Sequence, residues 1–227
     1  MNNFIKRTFD LLSSVVLFVL LIPLWIIVPV LIKIDSKGPI FFVQRRRTKN
    51  GKVFNMYKFR SMVVNAESMS TGLFSFKEDT RITKIGAFLR KSSIDEIPQL
   101  LNIIKGEMSI IGPRPCVEYE LGDYETLNRK YKKRFQMKAG LTGLAQAKYR
   151  NEITWDKKVE IDNEYIDLYK TYGILIDIKI LFMTINRVIN RSDIVEKKID
   201  ISLDDGKAAE LAQKEIVRLA HMPENGE

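Results

Sequence analysis

The chain has 227 residues, a formal charge of +9 from 37 Lys+Arg against 28 Asp+Glu, one cysteine and one histidine. A lone Cys116 excludes an intramolecular disulfide, and a lone His221 near the C-terminal end leaves no imidazole for a Ser-His-Asp, Cys-His or zinc site elsewhere. Chemistry therefore falls to carboxylates, Lys, Arg and an oxygen-bound cation. The basic surplus suits phosphorylated molecules or anionic membrane lipid. Nucleic acid is not expected, because the basic residues are scattered and no recognition module appears.

Leu11 to Ile32 carries no charge. About 22 residues would make a helix about 33 Å long, enough to cross a bilayer. Pro23 sits at its centre and removes a helical hydrogen bond. Lys6 and Arg7 precede the run and Lys33, Lys37 and Arg45-Arg46-Arg47 follow it, so a spanning helix strands one basic set on the wrong side. A helix broken at Pro23 that returns to the same face satisfies both flanks; a kinked span is the alternative. Two β-rich pieces then flank Asn50-Gly51, a hairpin signal, with Phe54, Met56 and Lys58 on one strand face and Tyr57 and Phe59 on the other. Ser61 is placed to start a helix reaching Met69. Ser70–Lys77 reads as a loop, and Leu100–Ile104 as an apolar element ended by Lys105-Gly106. Glu118–Arg134 has helical character and Gly140–Gly143 reads as a turn. Thr154 starts a helix. Ile174–Ile189 is apolar but carries Asp177, Lys179 and Arg187, which fits an interfacial or core helix better than a span. Lys207–Leu219 is a short amphipathic helix.

Two features carry chemistry. Asp95-Glu96 follows Ser92-Ser93, a pattern that also reads as a helix capping box. One carboxylate of such a pair can attack phosphorus, and the pair can hold Mg²⁺. Gly112-Pro113-Arg114-Pro115 locks an arginine between prolines, and its guanidinium can fork onto phosphate oxygens. No Walker or Rossmann glycine pattern is present. Phosphates must be held by side chains, and the candidates are Lys58, Arg60, Arg81, Arg90, Arg114 and Arg150.

The motifs recur in a recognisable order. They are Lys6-Arg7-x-Phe9-Asp10; Gly38-Pro39-Ile40-Phe41-Phe42-x-Gln44; Gly51-Lys52-x-Phe54-x-x-Tyr57-Lys58-Phe59-Arg60-Ser61-Met62; Asp79-x-Arg81-Ile82-Thr83; Leu89-Arg90-x-x-Ser93-x-Asp95-Glu96-x-Pro98-Gln99-Leu100; Lys105-Gly106-x-Met108-Ser109; Gly112-Pro113-Arg114-Pro115; and Gly140-x-Thr142-Gly143-x-Ala145-Gln146. From about Lys6 to Arg191 the chain resembles the bacterial sugar transferase family, the monotopic polyprenyl-phosphate phosphoglycosyl transferases. That resemblance implies transfer of a sugar 1-phosphate from a UDP-sugar to undecaprenyl phosphate, with release of UMP, Mg²⁺ as cofactor, and a location on the cytoplasmic face of the bacterial membrane. It implies Asp95 as nucleophile, Glu96 at the metal or in proton handling, and Lys58, Arg90, Arg114 and Arg150 near nucleotide-sugar and phosphates. Asp177 matches a family acidic position, and the Pro23 segment a re-entrant helix.

The fold class expected is α+β, mostly helical, with a small β-hairpin, a re-entrant membrane helix and interfacial amphipathic helices. Residues 1–37 form the membrane helix, 38–191 the catalytic domain and 192–227 a polar tail. This arrangement resembles the family's minimal form. Self-association, the sugar and the pathway stay open. Direct transfer in a ternary complex and a non-catalytic scaffold are the alternatives. Four positions depart from the family pattern: Ile22 replaces a serine, Thr48 a glycine, Ala139 the proline of a Pro-Gly pair, and Tyr149 a glycine.

Overall fold

The computed structural model describes residues 3–69, 79–149, 154–190 and 205–223. In chain order its elements are α1 (Asn3–Leu20), α2 (Ile22–Asp35), β1 (Phe41–Arg47), β2 (Val53–Phe59), α3 (Lys84–Ser92), α4 (Gln99–Lys105), β3 (Ser109–Ile111), α5 (Arg129–Lys133), β4 (Gly140–Thr142), α6 (Leu144–Tyr149), α7 (Trp155–Tyr172), α8 (Ile174–Asn190) and α9 (Asp205–His221). The molecule is mostly helical, with a two-stranded antiparallel hairpin.

The uncharged run becomes α1 and α2, bent by 61°. Pro23 has no N–H to offer the preceding turn. Leu24 and Trp25 close instead on the Leu21 carbonyl, at 2.9 and 3.2 Å. No single described helix is long and apolar enough to cross a membrane, while the bent pair passes on length and composition. Leu12, Val16, Leu20, Ile26 and Val30 are exposed along it, the kind of surface that marks a membrane or partner contact.

The N-terminal turns of α1 are clipped to the interior by polar side chains. Lys6 donates to the Ile111 carbonyl at 2.9 Å and to Asp177 at 2.5 Å, and the Tyr165 hydroxyl donates to the other Asp177 oxygen at 2.8 Å. Asp10 accepts from the Ile110 N–H at 2.9 Å. Arg7 donates to the Ile103 and Ile104 carbonyls, at 2.6 and 2.7 Å, near the end of α4, where helix carbonyls lack partners.

The hairpin is the seam between this bent pair and the main core. Asn50 and Gly51 take left-handed conformations, with φ of 57° and 71°, so the Asn-Gly signal does what it predicts. Strand side chains alternate in direction. Phe54 and Met56 enter the core with Leu100, Ile103, Met108 and Tyr165, while Phe59 turns to Val28, Ile32 and Leu89. Trp25 meets Phe59 edge-on, and Phe41 stacks on it at 5.5 Å between ring centroids.

Several expectations are corrected. The stretch from Ser61 to Met69 is no α-helix. Val63 donates to the Arg81 carbonyl, Asn65 takes a left-handed φ of 61°, and only a 3-10 turn follows at Ala66–Ser68. Ser70–Lys77 lies outside the described residues. Glu118–Arg134 is helical mainly over Arg129–Lys133, because Gly122 has a φ of 75° and Asn128 caps a new start by accepting from the Tyr131 N–H. The turn expected at Gly140–Gly143 is instead β4, parallel to β3, with Ser109 opposite Gly140. The helix after Thr154 forms as expected, its first turn capped by the Thr154 side chain. Helix α8 buries Ile176, Asp177 and Ile180 and exposes Leu175, Phe182, Ile185 and Val188, so it has a core side and a second apolar side.

Two departures from the family pattern meet in space. The Thr48 hydroxyl accepts from the Ala139 N–H at 3.0 Å and donates to the Glu107 carbonyl at 2.9 Å. A proline at 139 has no such N–H. Thr48→Gly will therefore strand a buried donor and lower stability by about 1–3 kcal/mol. Adding Ala139→Pro to Thr48→Gly is expected to recover most of that loss in thermal melts of the detergent-purified protein.

Candidate active site

The site is built on one short turn. Helix α3 ends at Ser93, whose φ of 58° is left-handed, and Ile94–Glu96 follow as a single 3-10 turn before Pro98 and α4. The expected capping box does not form. Ser92 Oγ donates back to the Phe88 carbonyl at 2.8 Å, and Ser93 makes no side-chain cap. Ile94 and Ile97, on either side of the dyad, pack against the cluster of Val28, Ile32, Phe59 and Leu89. The dyad is thereby fixed against α2, and Asp95 is buried.

Lys58 reaches the dyad from the end of β2 and Arg114 from the turn after β3. Glu96 Oε1 accepts from Lys58 Nζ at 2.9 Å and from Arg114 Nη2 at 3.1 Å. Burial pushes the Glu96 carboxyl up, but Lys58 and Arg114, by charge and hydrogen bond, outweigh it and hold it well below the usual carboxylate range. Asp95 goes the other way. Burial pushes it up, the Glu96 charge adds to this, and Lys58, Arg90 and Arg114 only partly oppose, leaving it raised to about 6. Adjacent carboxyls are thus driven apart, the usual preparation for two different tasks.

The Gly-Pro-Arg-Pro turn is held from behind. Gly112 donates to the Thr142 carbonyl, and Gly140 to the Pro113 carbonyl, both at 2.9 Å. A Cβ at Gly112 would lie 2.3 Å from the Lys138 carbonyl oxygen, and one at Gly143 2.1 Å from that of Gly112, so both positions require glycine for close approach. Arg46 donates to the Pro115 carbonyl at 2.7 Å.

Of the residues expected at the site, Lys58 and Arg114 bond to Glu96, and Arg90 lies close enough to act on Asp95 by charge. Three others stand apart with protein partners. Arg60 is buried and donates to the Ser36 and Lys37 carbonyls, both at 2.7 Å, closing the end of α2. Buried Arg81 pairs with Asp79 at 2.8 Å and donates to the Ala66 carbonyl at 3.0 Å. Asp177 is fully buried between Lys6 and Tyr165. Arg150 lies outside the described residues. Sequence reasoning gave no part to Arg134, Asp162 or Arg46, which contact or surround the turn. Their signal is spatial, and nothing in their spacing announces it.

Asp95 and Glu96 are the carboxylates that could hold a cation. Among the described residues no group of three or more His, Cys, Asp or Glu is placed to hold a metal. Mg²⁺ commonly takes one or two carboxylates and completes its shell with substrate phosphates and water. The dyad fits that pattern, since Lys58 and Arg114 both use Oε1 of Glu96 and leave Oε2 to serve.

The family model described as Bacterial sugar transferase matches residues 1–191. An undecaprenyl-phosphate glucose phosphotransferase of Komagataeibacter xylinus is 41% identical over 81% of this chain and 36% of its own length. A UDP-galactose-lipid carrier transferase of Erwinia amylovora is 38% identical over 84% of this chain and 41% of its own. The exopolysaccharide production protein ExoY of Sinorhizobium fredii is 38% identical over 81% of this chain and 84% of its own. The chain thus spans about two fifths of the first two relatives and most of the third.

The dyad's asymmetry has a measurable sign. A carboxyl raised from 3.8 to about 6 on folding binds its proton more tightly in the native state, so its contribution to stability is lost as pH rises through that window. Asp95→Asn is expected to melt above the wild type at pH 7.5, with the difference vanishing below about pH 4. In a ¹³C titration of the Asp95 carboxyl, Lys58→Met will move the midpoint further up.

Proposed function

The chain belongs to the bacterial sugar transferase family, and from that premise we propose that it transfers a sugar 1-phosphate from a UDP-sugar to undecaprenyl phosphate at the cytoplasmic face of a membrane, releasing UMP. The observation that carries this reading is the fixing of the Asp95-Glu96 turn to the bent apolar pair through Ile94 and Ile97. A soluble anionic donor and a lipid phosphate can meet only at an interface, and that packing keeps a buried carboxylate there. The exposed apolar sides of α1, α2 and α8 suit shallow insertion in anionic lipid.

The reaction runs in two displacements. An oxygen of ionised Asp95 bonds to the sugar-bearing phosphorus as the bond from that phosphorus to the bridging oxygen breaks, and the electron pair leaves with UMP. A phosphate oxygen of the lipid then attacks the same phosphorus, and the aspartyl oxygen leaves as a carboxylate. Little covalent work is asked of the protein beyond Asp95, so positioned charge carries most of the acceleration. Lys58, Arg90 and Arg114 supply it beside the nucleophile. Glu96 is held too acidic to be a useful base, so it serves to anchor Lys58 and Arg114 and to offer an oxygen to a cation. Mg²⁺, held by Glu96 and Asp95 with the donor's phosphates, would neutralise charge on the diphosphate.

The test omits the lipid acceptor. Labelled UMP is expected to exchange into the UDP-sugar with wild-type protein, and Asp95→Asn to abolish exchange and lower turnover on the order of 10⁴-fold. Full turnover without exchange would sink the covalent step in favour of direct transfer. A UDP-sugar panel giving no UMP release with lipid present would sink the transferase reading.

A further inference from the structure

Arg114 has to be aimed as well as present, and its own turn supplies only part of the aim. Pro113 and Pro115 restrict the backbone on either side of it. The angles the two rings restrict least are ψ of Pro113 and φ of Arg114, and turning either one swings the Arg114 carbonyl. That carbonyl accepts from Arg134 Nη2 at 2.7 Å. Arg134 is in turn fixed by Asp162, whose Oδ2 accepts from Nε at 3.0 Å and lies 2.9 Å from Nη2. The guanidinium carbon lies 5.0 Å from the Trp155 ring centroid and 5.4 Å from that of Phe135. Both charged residues are almost wholly buried, Arg134 at 3% exposure and Asp162 at 2%.

A buried ion pair is seldom the most stable way to fill such a space, because desolvation offsets much of the attraction. Well-packed apolar side chains would do as well for the fold. What they cannot do is donate to the Arg114 carbonyl. The planar arginine fork does so while Asp162 sets its orientation and the two rings flank it. We propose that Arg134, held by Asp162, is the positioning residue that aims Arg114 at Glu96 and at the phosphates of the nucleotide-sugar. The inference rests on the reading of the dyad as the reaction centre. It adds a second tier to that site, drawn from α7 and from the segment after α5.

The test compares three proteins in detergent or nanodiscs: Arg114→Gln, the pair Arg134→Met with Asp162→Leu, and all three changes together. The pair removes both buried charges at once, so neither is left uncompensated, and its melting temperature is expected within a few degrees of wild type. Its kcat/KM for the UDP-sugar should fall about 10–100-fold. The split of that loss between kcat and KM should match that of Arg114→Gln, which a merely destabilised protein would not reproduce. The triple change should cost no more than Arg114→Gln alone, since the pair acts only through Arg114. A kcat-against-KM split in the pair variant unlike that of Arg114→Gln, or losses that multiply in the triple variant, would overturn the proposal. Should the pair variant fail to fold, Arg134→Lys, which keeps a cation on Asp162 without the fork, is read by the same two criteria. If Arg114→Gln itself retains wild-type kcat/KM, what fails is the reading of the reaction centre.

Discussion

Asp95 and Glu96 share one short turn largely shut off from water, where two like charges repel and lose hydration together. Most of what surrounds them follows from that constraint. One carboxylate must be compensated if the other is to be used, and Glu96 is the one compensated, by Lys58 and Arg114 on a single oxygen. Asp95 feels the charge of the same cations but, among the described residues, hydrogen-bonds to neither, so it keeps the desolvated character of a group that ionises reluctantly. The two cations come from different elements, the end of β2 and the turn after β3. The fold is the device that brings a strand end and a proline-locked turn to the same place.

The same constraint explains the value of the hairpin. Lys58 and Phe59 are neighbours on β2 and point to opposite faces. Lys58 goes to Glu96 and Phe59 to Trp25 and the bent pair. A change in the seating of α2 therefore moves the strand that delivers a cation to the dyad. Ile94 and Ile97 tie the turn itself to the same cluster. The seating of the bent apolar pair and the ionisation of Asp95 are thus coupled through a few apolar contacts.

Local signals made much of this legible. The Pro23 break, the Asn50-Gly51 hairpin, the Thr154 cap and the glycine end of α4 each depend on a few adjacent residues, and each forms as its local chemistry dictates. The dyad with Lys58, Arg90 and Arg114 was legible through ordered motifs. What escaped depends on long-range pairing. Gly140–Thr142 looks like a turn until β3 lies beside it, when its glycines become the means of close approach. Arg60 and Arg81 looked like phosphate ligands because exposed and buried arginines read alike in a sequence. The structure sends one to the end of α2 and the other to Asp79. Asp177 was noticed for its type, but its partner Lys6 lies 171 positions away.

The Thr48–Ala139 contact shows how such long-range pairing can be kept while its chemistry changes. In the family pattern a proline at 139 would fix the backbone by its own ring, and a glycine at 48 would leave room beside it. Here the ring is gone, and the N–H it would have removed is bonded by a hydroxyl that the glycine would have lacked. Neither change is comfortable alone: threonine opposite proline has no donor to receive, and alanine opposite glycine has no acceptor to find. The bond lies just behind the Gly-Pro-Arg-Pro turn. Ala139 also gives its carbonyl to Ser109, and the next residue, Gly140, donates to Pro113. The pair of substitutions therefore preserves the strand that backs Arg114, with a side-chain hydrogen bond in the place of a rigid ring.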